Sequence, residues 1–312
     1  MNISDSMAAC LDDLGAKRAN NTVRIYRNGL KQFSEYLTEV GFSPRDCEPT
    51  QLDIKHFMGF VDWIGKRFPT KQTAGVYIAG FKRYFRWLLS QDLIHPTPND
   101  IARFQDSLED AKYRKGQQFT RTPGKGHSER MVEAVRAINE PEPRKSRDVA
   151  LILLLASSGI RNNEARSLLV KDVDLSERIA YVRYGKGGKQ RKAYFSQDAA
   201  DAIRHYWVER SYANKNDPIF CRHDKGAGAK HAAITTATVR NVIDDVCKLA
   251  GIEAGHFTPH YFRHAFAIEA LRKTGNLALV QDLLGHESPV STRIYAKIAD
   301  EDVQAAHREI FK

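Results

Sequence analysis

Apolar side chains recur at steps of three and four along the first hundred residues, which is the spacing that lines one face of an α-helix. The clearest run consists of Val23, Tyr26, Leu30, Phe33, Leu37 and Val40. It predicts a helix that ends at Gly41, a residue suited to a helix C-terminus. Two more helices are predicted, one over Gln51 to Lys66 with Thr50 as its N-cap and one after Thr70. The pattern indicates an all-helical N-terminal region.

The helical periodicity fades after Lys112, where basic residues alternate with glycine and proline as in an inter-domain linker. A chain of 312 residues is also long enough for two domains. We predict a helical domain over 1–111, a basic linker over 112–128 and a second domain over 129–312. The linker could lie along a phosphate backbone or be merely solvated.

The second domain combines helical periodicity with one stretch of strict alternation. Helices are predicted over Glu129 to Ile138, Arg147 to Ser158 and Asn162 to Val170. Residues 178–184 and 190–196 alternate with period two around the turn G-K-G-G-K, as in a β-hairpin. The fold class predicted is therefore mainly α with a small β-hairpin or sheet, that is, α+β.

Charge changes this picture by suggesting a partner. The chain carries a formal net charge of +10 and a sequence pI near 9.4. The basic excess is one residue in 1–112 and nine in 113–312. A basic balance favours a polyanion such as nucleic acid, although many basic proteins bind none.

The sequence shows no pattern for export or for a structural metal. No stretch approaches 18 apolar residues and the N-terminus has no secretion signal, so we expect a cytoplasmic protein without a membrane span. The four cysteines form no C-x-x-C pair, which indicates free thiols in a reducing cytoplasm rather than a zinc site or a disulfide framework.

Two segments place basic side chains where they could meet a phosphate. Arg161 follows a Ser-Ser-Gly turn and opens a helix, whose free N–H groups favour an anion; an ion pair with Glu164 is the commoner explanation for one such arginine. Lys186 and Lys189 occupy the glycine-rich hairpin turn. A lysine there could donate a proton to a leaving oxygen, or the hairpin could simply be soluble and basic.

Two later segments carry histidine and tyrosine. Thr258 and Pro259 read as the N-cap and first residue of a helix, which places His260 and Arg263 on one face of its first turns. A second helix ends at Gly285, with His286 just beyond it and Tyr295 nine residues later. A lone tyrosine on a helix is usually a packing group, so Tyr295 becomes a catalytic candidate only in combination with the other segments.

Taken in order, these segments resemble the active site of the tyrosine recombinase, or phage integrase, family. The resemblance rests on G-I-R with acidic residues three and eleven positions later, on G-K-G-G-K-Q-R, on H-Y-F-R-H and on L-L-G-H followed by Tyr295. The N-terminal region is similar to the family's SAM-like core-binding domain, with T-x-x-x-Y at Thr22 to Tyr26, but has Pro98-Asn99 where the family often has Asn-Pro. The compact two-domain organisation resembles Xer-type recombinases.

The resemblance implies a role for each candidate. Tyr295 would attack a DNA phosphodiester and form a 3′-phosphotyrosine. His260 would act as general base and Lys186, or alternatively Lys189, as general acid. The residues that would hold the phosphate are Arg161, Arg263 and His286, while Glu164 and Asp172 would support them or be plainly structural. No metal or cofactor is implied.

The resemblance also implies partners and architecture. The two domains would form a C-shaped clamp on double-stranded DNA that carries a specific recombination site, for integration, excision or dimer resolution. Candidate DNA contacts are Arg24, Arg27, Lys31, Lys82, Arg83, Arg86, Arg114, Lys115, Arg121, Lys189 and Arg191. A tail helix near 300–312 would pack on its own domain or in a neighbouring protomer, and the latter favours a tetramer on DNA, with a monomer or dimer off it. The alternatives are a type IB topoisomerase and a non-catalytic architectural DNA-binding protein.

Overall fold

The computed structural model forms two compact units, Met1–Phe119 and Thr120–Lys312. It describes residues 1–16, 20–68, 71–111, 126–183, 190–211, 214–223, 232–253 and 257–285. Within these ranges, no helix is both long enough and apolar enough to cross a bilayer.

Helices joined by turns make up the described residues of the first unit. Its helices are α1 (Ile3–Gly15), α2 (Asn20–Glu39), α3 (Ile54–Arg67), α4 (Lys71–Ser90) and α5 (Pro98–Asp110). The three helices predicted from periodicity are confirmed as α2, α3 and α4. The predicted N-cap Thr50 is wrong, because Pro49–Gln51 form a separate 3-10 turn and the Asp53 carboxylate accepts hydrogen bonds from the first backbone N–H groups of α3.

Aromatic side chains fill the core of the first unit. Phe33 lies at its centre, with ring centroids 5.7 Å from Phe57, 5.2 Å from Phe60 and 4.8 Å from Phe81. These separations are those of favourable aromatic pairs, each of which adds about 0.5–1.5 kcal/mol beyond area burial. The core is therefore held by packing contributed by α2, α3 and α4.

Two glycines allow α2 and α4 to pack backbone against backbone. A Cβ added at Gly29 would lie 2.5 Å from the Tyr77 carbonyl oxygen, and one at Gly80 would lie 2.8 Å from the Tyr26 Cα. Because Gly29 meets Tyr77 and Gly80 meets Tyr26, the helices run antiparallel. This pairing brings the basic residues of α4 level with the start of α2.

The second unit is helical around one small sheet. Its helices are α6 (His127–Arg136), α7 (Arg144–Ser158), α8 (Asn162–Ser167), α9 (Gln197–Glu209), α10 (Thr236–Leu249), α11 (Pro259–Thr274) and α12 (Leu277–Leu284). The strands β1 (Val173–Asp174), β2 (Ile179–Val182) and β3 (Arg191–Tyr194) pair antiparallel in that order. The predicted hairpin and the α+β class are confirmed, while the helix predicted up to Val170 ends at Ser167.

The buried helix α7 ends in a turn that requires glycine. Gly159 has φ +59°, the left-handed region, and a Cβ there would lie 2.6 Å from the Phe266 ring. The Ser158 hydroxyl donates to the Leu154 carbonyl at 2.6 Å and accepts from the Ile160 N–H at 3.3 Å. The turn thereby fixes the entry of the chain into α8.

All four cysteines are free thiols. Burial raises the pKa of Cys10 to about 12 and that of Cys247 to about 11. Among the residues that the structure describes, no group of three or more His, Cys, Asp and Glu side chains could hold a metal ion.

Candidate active site

Arg161 is the N-cap residue of α8 and is bound to Glu164 in the first turn of that helix. Its Nη1 donates to Glu164 Oε1 at 2.7 Å, and its backbone N–H donates to Oε2 at 2.9 Å. The ion pair foreseen from the sequence is therefore present. The Arg161 side chain nevertheless stays 29% exposed, so the guanidinium is held in place and still open on one side.

Glu164 is shared between two arginines. It is buried, and its Oε2 also accepts from Arg191 Nη2 at 2.6 Å. Burial by itself would raise the pKa of the Glu164 carboxyl, but the hydrogen bond and charge of Arg191, followed by the hydrogen bonds from Arg161, outweigh it and lower the pKa. Glu164 is therefore an anion at neutral pH.

Arg263, on the second turn of α11, is buried and joins two separate turns. Its Nη1 donates to the Gly159 carbonyl at 2.5 Å and its Nη2 to the Leu284 carbonyl at 2.7 Å. Gly159 lies two residues before Arg161, and Leu284 ends α12. In this structure the guanidinium thus ties the turn that presents Arg161 to the end of the helix that precedes His286.

His260 lies one turn before Arg263 on α11. The residue as a whole is exposed. The pKa of its imidazole is nevertheless lowered below the ordinary value. The largest cause is partial desolvation of the ring, followed by the charges of Arg263 and then Arg161. Both arginines act on the same ring, so the structure brings Arg161, His260 and Arg263 together. A neutral imidazole beside two cations can accept a proton.

His264 packs against His260, and its importance was not recognised in the sequence. The two rings lie edge to face with centroids 4.5 Å apart. Burial, followed by the neighbouring His260 and Arg263, lowers the pKa of His264 to about 4. The H-Y-F-R-H spacing of four residues, one helical turn, was the available signal for this contact.

Asp172 has a structural contact in this fold. Its buried carboxylate accepts from the backbone N–H of Leu169 at 3.1 Å and pairs with the Nε of Arg183. Arg183 follows β2, so the ion pair fixes the end of that strand to the 3-10 turn Val170–Asp172.

The expected DNA contacts of the first unit lie on α2 and α4. Arg24, Arg27, Lys31 and Arg86 are exposed, and Lys82 and Arg83 are partly buried. Arg83 and Arg86 also line a cavity of about 360 Å³ together with Asp13 and Trp87.

Arg191 differs from the other candidate DNA contacts. Its side chain is 12% exposed, and its guanidinium is bound to Glu164 and to the Leu283 carbonyl. The charged end of Arg191 is therefore directed into the protein, and its expected contact with DNA stays a prediction.

The remaining predicted site residues lie outside the described residues. They are Lys186, Lys189, His286, Tyr295, Arg114, Lys115 and Arg121. The predicted tail helix at 300–312 lies outside them as well.

Comparison with known proteins places this arrangement in a family. The phage integrase family matches residues 127–302, and the phage integrase N-terminal SAM-like domain matches residues 11–92. The chain belongs to the phage integrase family and is a tyrosine site-specific recombinase.

Curated relatives agree over nearly the whole length. The tyrosine recombinase XerD of Ralstonia nicotianae is 30% identical over 93% of this chain and 88% of its own. The tyrosine recombinase XerC of Pediococcus pentosaceus is 25% identical over 94% of this chain and 92% of its own. Neither the topoisomerase nor the non-catalytic alternative gains support from these relatives.

A solved structure supports the same fold. The XerH site-specific recombinase, in a post-cleavage complex with its palindromic difH substrate, superposes with a TM-score of 0.69 at 22% identity, covering 91% of this chain and 78% of the XerH chain. The two-domain helical fold with a small sheet is therefore that of a recombinase.

Proposed function

We propose that this recombinase cleaves and rejoins double-stranded DNA at a specific site, with Tyr295 as the nucleophile. The observation that carries the proposal is the position of Arg263. Its guanidinium joins the Gly159 turn before Arg161 to the end of α12, whose next residues lead to His286. Arg161 at the start of α8 and Arg263 on α11 thus place two positive charges beside His260, on two separate segments.

The proposed chemistry uses this group to stabilise charge on the scissile phosphate. The Tyr295 oxygen attacks phosphorus, a new P–O bond forms to the tyrosine, and the bond to the 5′-oxygen breaks. His260 takes the phenol proton, and Lys186 or Lys189 gives a proton to the leaving 5′-oxygen. Arg161 and His286 stabilise the phosphate oxygens, and Arg263, which is buried here with both Nη atoms on backbone carbonyls, joins them by exchanging a carbonyl for a phosphate oxygen.

The second step reverses the first with another strand. A 5′-hydroxyl from a partner duplex attacks the phosphotyrosine, which restores a phosphodiester and the free tyrosine. One bond is exchanged for another of the same kind in each step, so the reaction needs no ATP. The same groups serve both directions because the geometry at phosphorus is the same.

The neutral state of His260 supports its role as the base. A histidine that is already protonated cannot accept the phenol proton, whereas the nearby arginines and partial desolvation lower the pKa of His260. The same positive charges also favour a phenolate, whose ordinary pKa is near 10. The arginines therefore keep His260 unprotonated and stabilise the phenolate that the proton transfer produces.

The wider assembly follows from a reaction between two duplexes. We propose that residues 1–111 bind DNA through α2 and α4, that 112–128 link the domains along the backbone, and that 129–312 carry the chemistry. Four protomers around two duplexes would supply one nucleophile for each strand exchanged. The tail at 300–312 would then join neighbouring protomers.

The decisive test compares the unaltered chain with Tyr295→Phe. Tyr295→Phe binds without cutting, so it is first used to enrich bound sequences from a pool of duplexes with a randomised segment. The enriched sequence is then made as suicide substrates that carry a nick at successive central positions. We expect an SDS-resistant protein–DNA adduct with the unaltered chain and none with Tyr295→Phe.

Equal binding by the two proteins is the control, because it shows that the lost adduct reflects the missing hydroxyl. An equal adduct yield from both would remove Tyr295 from its role. A supercoiled plasmid without the enriched sequence tests the class of activity, since efficient relaxation there would point to a topoisomerase instead.

A further inference from the structure

Arg191 stands where three parts of the site meet. It is the first residue of β3, and its side chain extends toward α8 and the end of α12. Nη2 lies 2.6 Å from Glu164 Oε2, and Nη1 lies 3.3 Å from the Leu283 carbonyl oxygen. Its stem packs on Gly285, where a Cβ would lie 2.5 Å from the Arg191 Cδ.

The contacts separate the roles of two arginines that share one carboxylate. Glu164 is 3% exposed and binds Arg161 through Oε1 and Arg191 through Oε2. Arg191 is 12% exposed and Arg161 is 29% exposed. Arg191 is therefore directed into the protein, and Arg161 is the member of the pair that a phosphate can reach.

The formal charges of these three side chains determine the net charge that a phosphate would meet. Two guanidinium groups and one carboxylate carry a formal charge of +1, and that charge has its accessible face at Arg161. Without Arg191, Glu164 and Arg161 would sum to zero. Without Arg191, the buried Glu164 carboxylate would also bind Arg161 more tightly, because an ion pair is stronger where water is excluded.

We propose that Arg191 is a positioning residue for recombination: it offsets the charge of Glu164, so that the group keeps a net positive charge and Arg161 keeps its orientation for the scissile phosphate. The inference rests on the proposed function and adds a residue to it. Arg191 touches neither DNA nor the reacting atoms in this role and acts through Glu164 on Arg161.

The test is a charge-suppression experiment on the full chain. Arg191→Met keeps an unbranched stem over Gly285 and removes the charge. Single-turnover adduct formation on the suicide substrate is measured with protein in saturating excess. We expect Arg191→Met to slow it by about 10- to 100-fold, the loss seen when a residue that orients a metal ligand is removed, since Arg191 orients Arg161 in a similar way. Adding Glu164→Gln is expected to restore most of the rate, since the unbalanced negative charge is then gone.

Arg183→Met is the matched control. Arg183 belongs to the same hairpin and pairs with a buried carboxylate, that of Asp172. Its removal costs the chain the same charge but leaves the Arg161–Glu164–Arg191 group intact. Glu164→Gln is therefore expected to bring no recovery in the Arg183→Met background.

A second substrate distinguishes an effect of Arg191→Met on the charge near the phosphate from a general effect on the structure of the site. A methylphosphonate at the scissile position lacks the negative charge that Arg161 would meet, so the rates of Arg191→Met and unaltered protein should lie much closer together on it. An equal loss on both substrates, or no recovery with Glu164→Gln, would overturn the proposal. If Arg191→Met fails to fold, Arg191→Gln with and without Glu164→Gln gives the same comparison.

The outcomes separate this inference from the proposed function. Absence of adduct from the unaltered chain on every suicide substrate contradicts the cleavage chemistry itself. Adduct formation by the unaltered chain and by Arg191→Met at the same rate contradicts the role of Arg191 alone.

Discussion

The interiors of the two units are built differently. Among the described residues, the buried polar side chain of the first unit is Ser6, whereas the second unit buries the charged residues Arg147, Asp148, Glu164, Asp172 and Arg263. The first unit is instead filled with aromatic rings around Phe33. The first interior depends on fitting volumes together, and the second also depends on pairing charges.

This difference follows from what each unit is proposed to do. A surface that contacts DNA needs a rigid frame with basic side chains outside, which packing alone supplies. Phosphate chemistry needs cations held in place away from water, and buried charges are costly unless they are paired. The second unit therefore carries the buried polar groups. We expect the second unit to lose most stability when a buried charge is removed, and the first unit when its packing is disturbed.

The largest effect is expected from Arg263→Met. It removes two hydrogen bonds from a charged donor and leaves the Gly159 and Leu284 carbonyls without it, which should destabilise the second unit by about 3–5 kcal/mol. Native-state hydrogen exchange of α7 and α11 peptides measures the loss. Arg272→Met, at the exposed end of α11, is the control. Equal destabilisation by the two variants would show that the buried charge of Arg263 does not stabilise the second unit, and the proposed difference between the two interiors would be lost.

A smaller loss is expected from Gly80→Ala in the first unit. The added methyl group meets the Tyr26 backbone at 2.8 Å, so α2 and α4 must separate, at about 1–3 kcal/mol. Gly75→Ala, on the same helix with nothing within 4 Å, should instead stabilise the chain by up to about 1 kcal/mol. Hydrogen exchange of α2 and α4 peptides gives both values, and a stabilising Gly80→Ala would contradict the close crossing.

The smallest effect concerns acid and His264. Its pKa is near 4 in the folded protein against 6.5 ordinarily, so the unfolded chain binds a proton first as the pH falls, and the second unit loses stability between those values. His264→Gln should remove about 1 kcal/mol of the loss between about pH 7 and pH 5, above the carboxyl range; this is roughly half the value for a fully buried ring, because His264 is partly exposed to solvent. Hydrogen exchange of α11 peptides at the two pH values measures this difference in stability. If His264→Gln loses as much stability on acidification as the unaltered chain, His264 is not the source of the loss.

Strong periodicity made much of the fold predictable. The apolar run from Val23 to Leu37 defined α2 because Leu30, Phe33 and Leu37 on one face of that helix are buried, whereas Val40, the last residue of the predicted run, lies beyond the helix and is exposed.

In the first unit, two helices were not assigned individually. α1 buries Ile3, Met7, Cys10, Leu11 and Leu14 at helical spacing, so its pattern was available in the sequence. α5, in contrast, buries Phe104 and Leu108 alone over its 13 residues. Such sparse apolar positions specify a helix only once a packing partner is known.

The site shows the same division between local and long-range information. Arg161, His260 and Arg263 stand in short motifs beside helix starts, which a sequence displays directly. The internal role of Arg191 depends on Glu164, 27 residues earlier, and on Leu283, 92 residues later. Sequence shows the charge of Arg191, whereas its burial arises from the packing of β3 against α8 and α12.

The hydrogen bonds of Arg263 also bear on when the enzyme becomes active during its synthesis. They join Gly159 to Leu284, positions 125 residues apart in the chain. A growing polypeptide that has not yet released α12 from the ribosome lacks one of the two carbonyls, and Tyr295 follows later still. If residues 1–111 bind DNA and Tyr295 cuts it, as proposed above, the growing chain therefore acquires the ability to bind DNA before the ability to cut it.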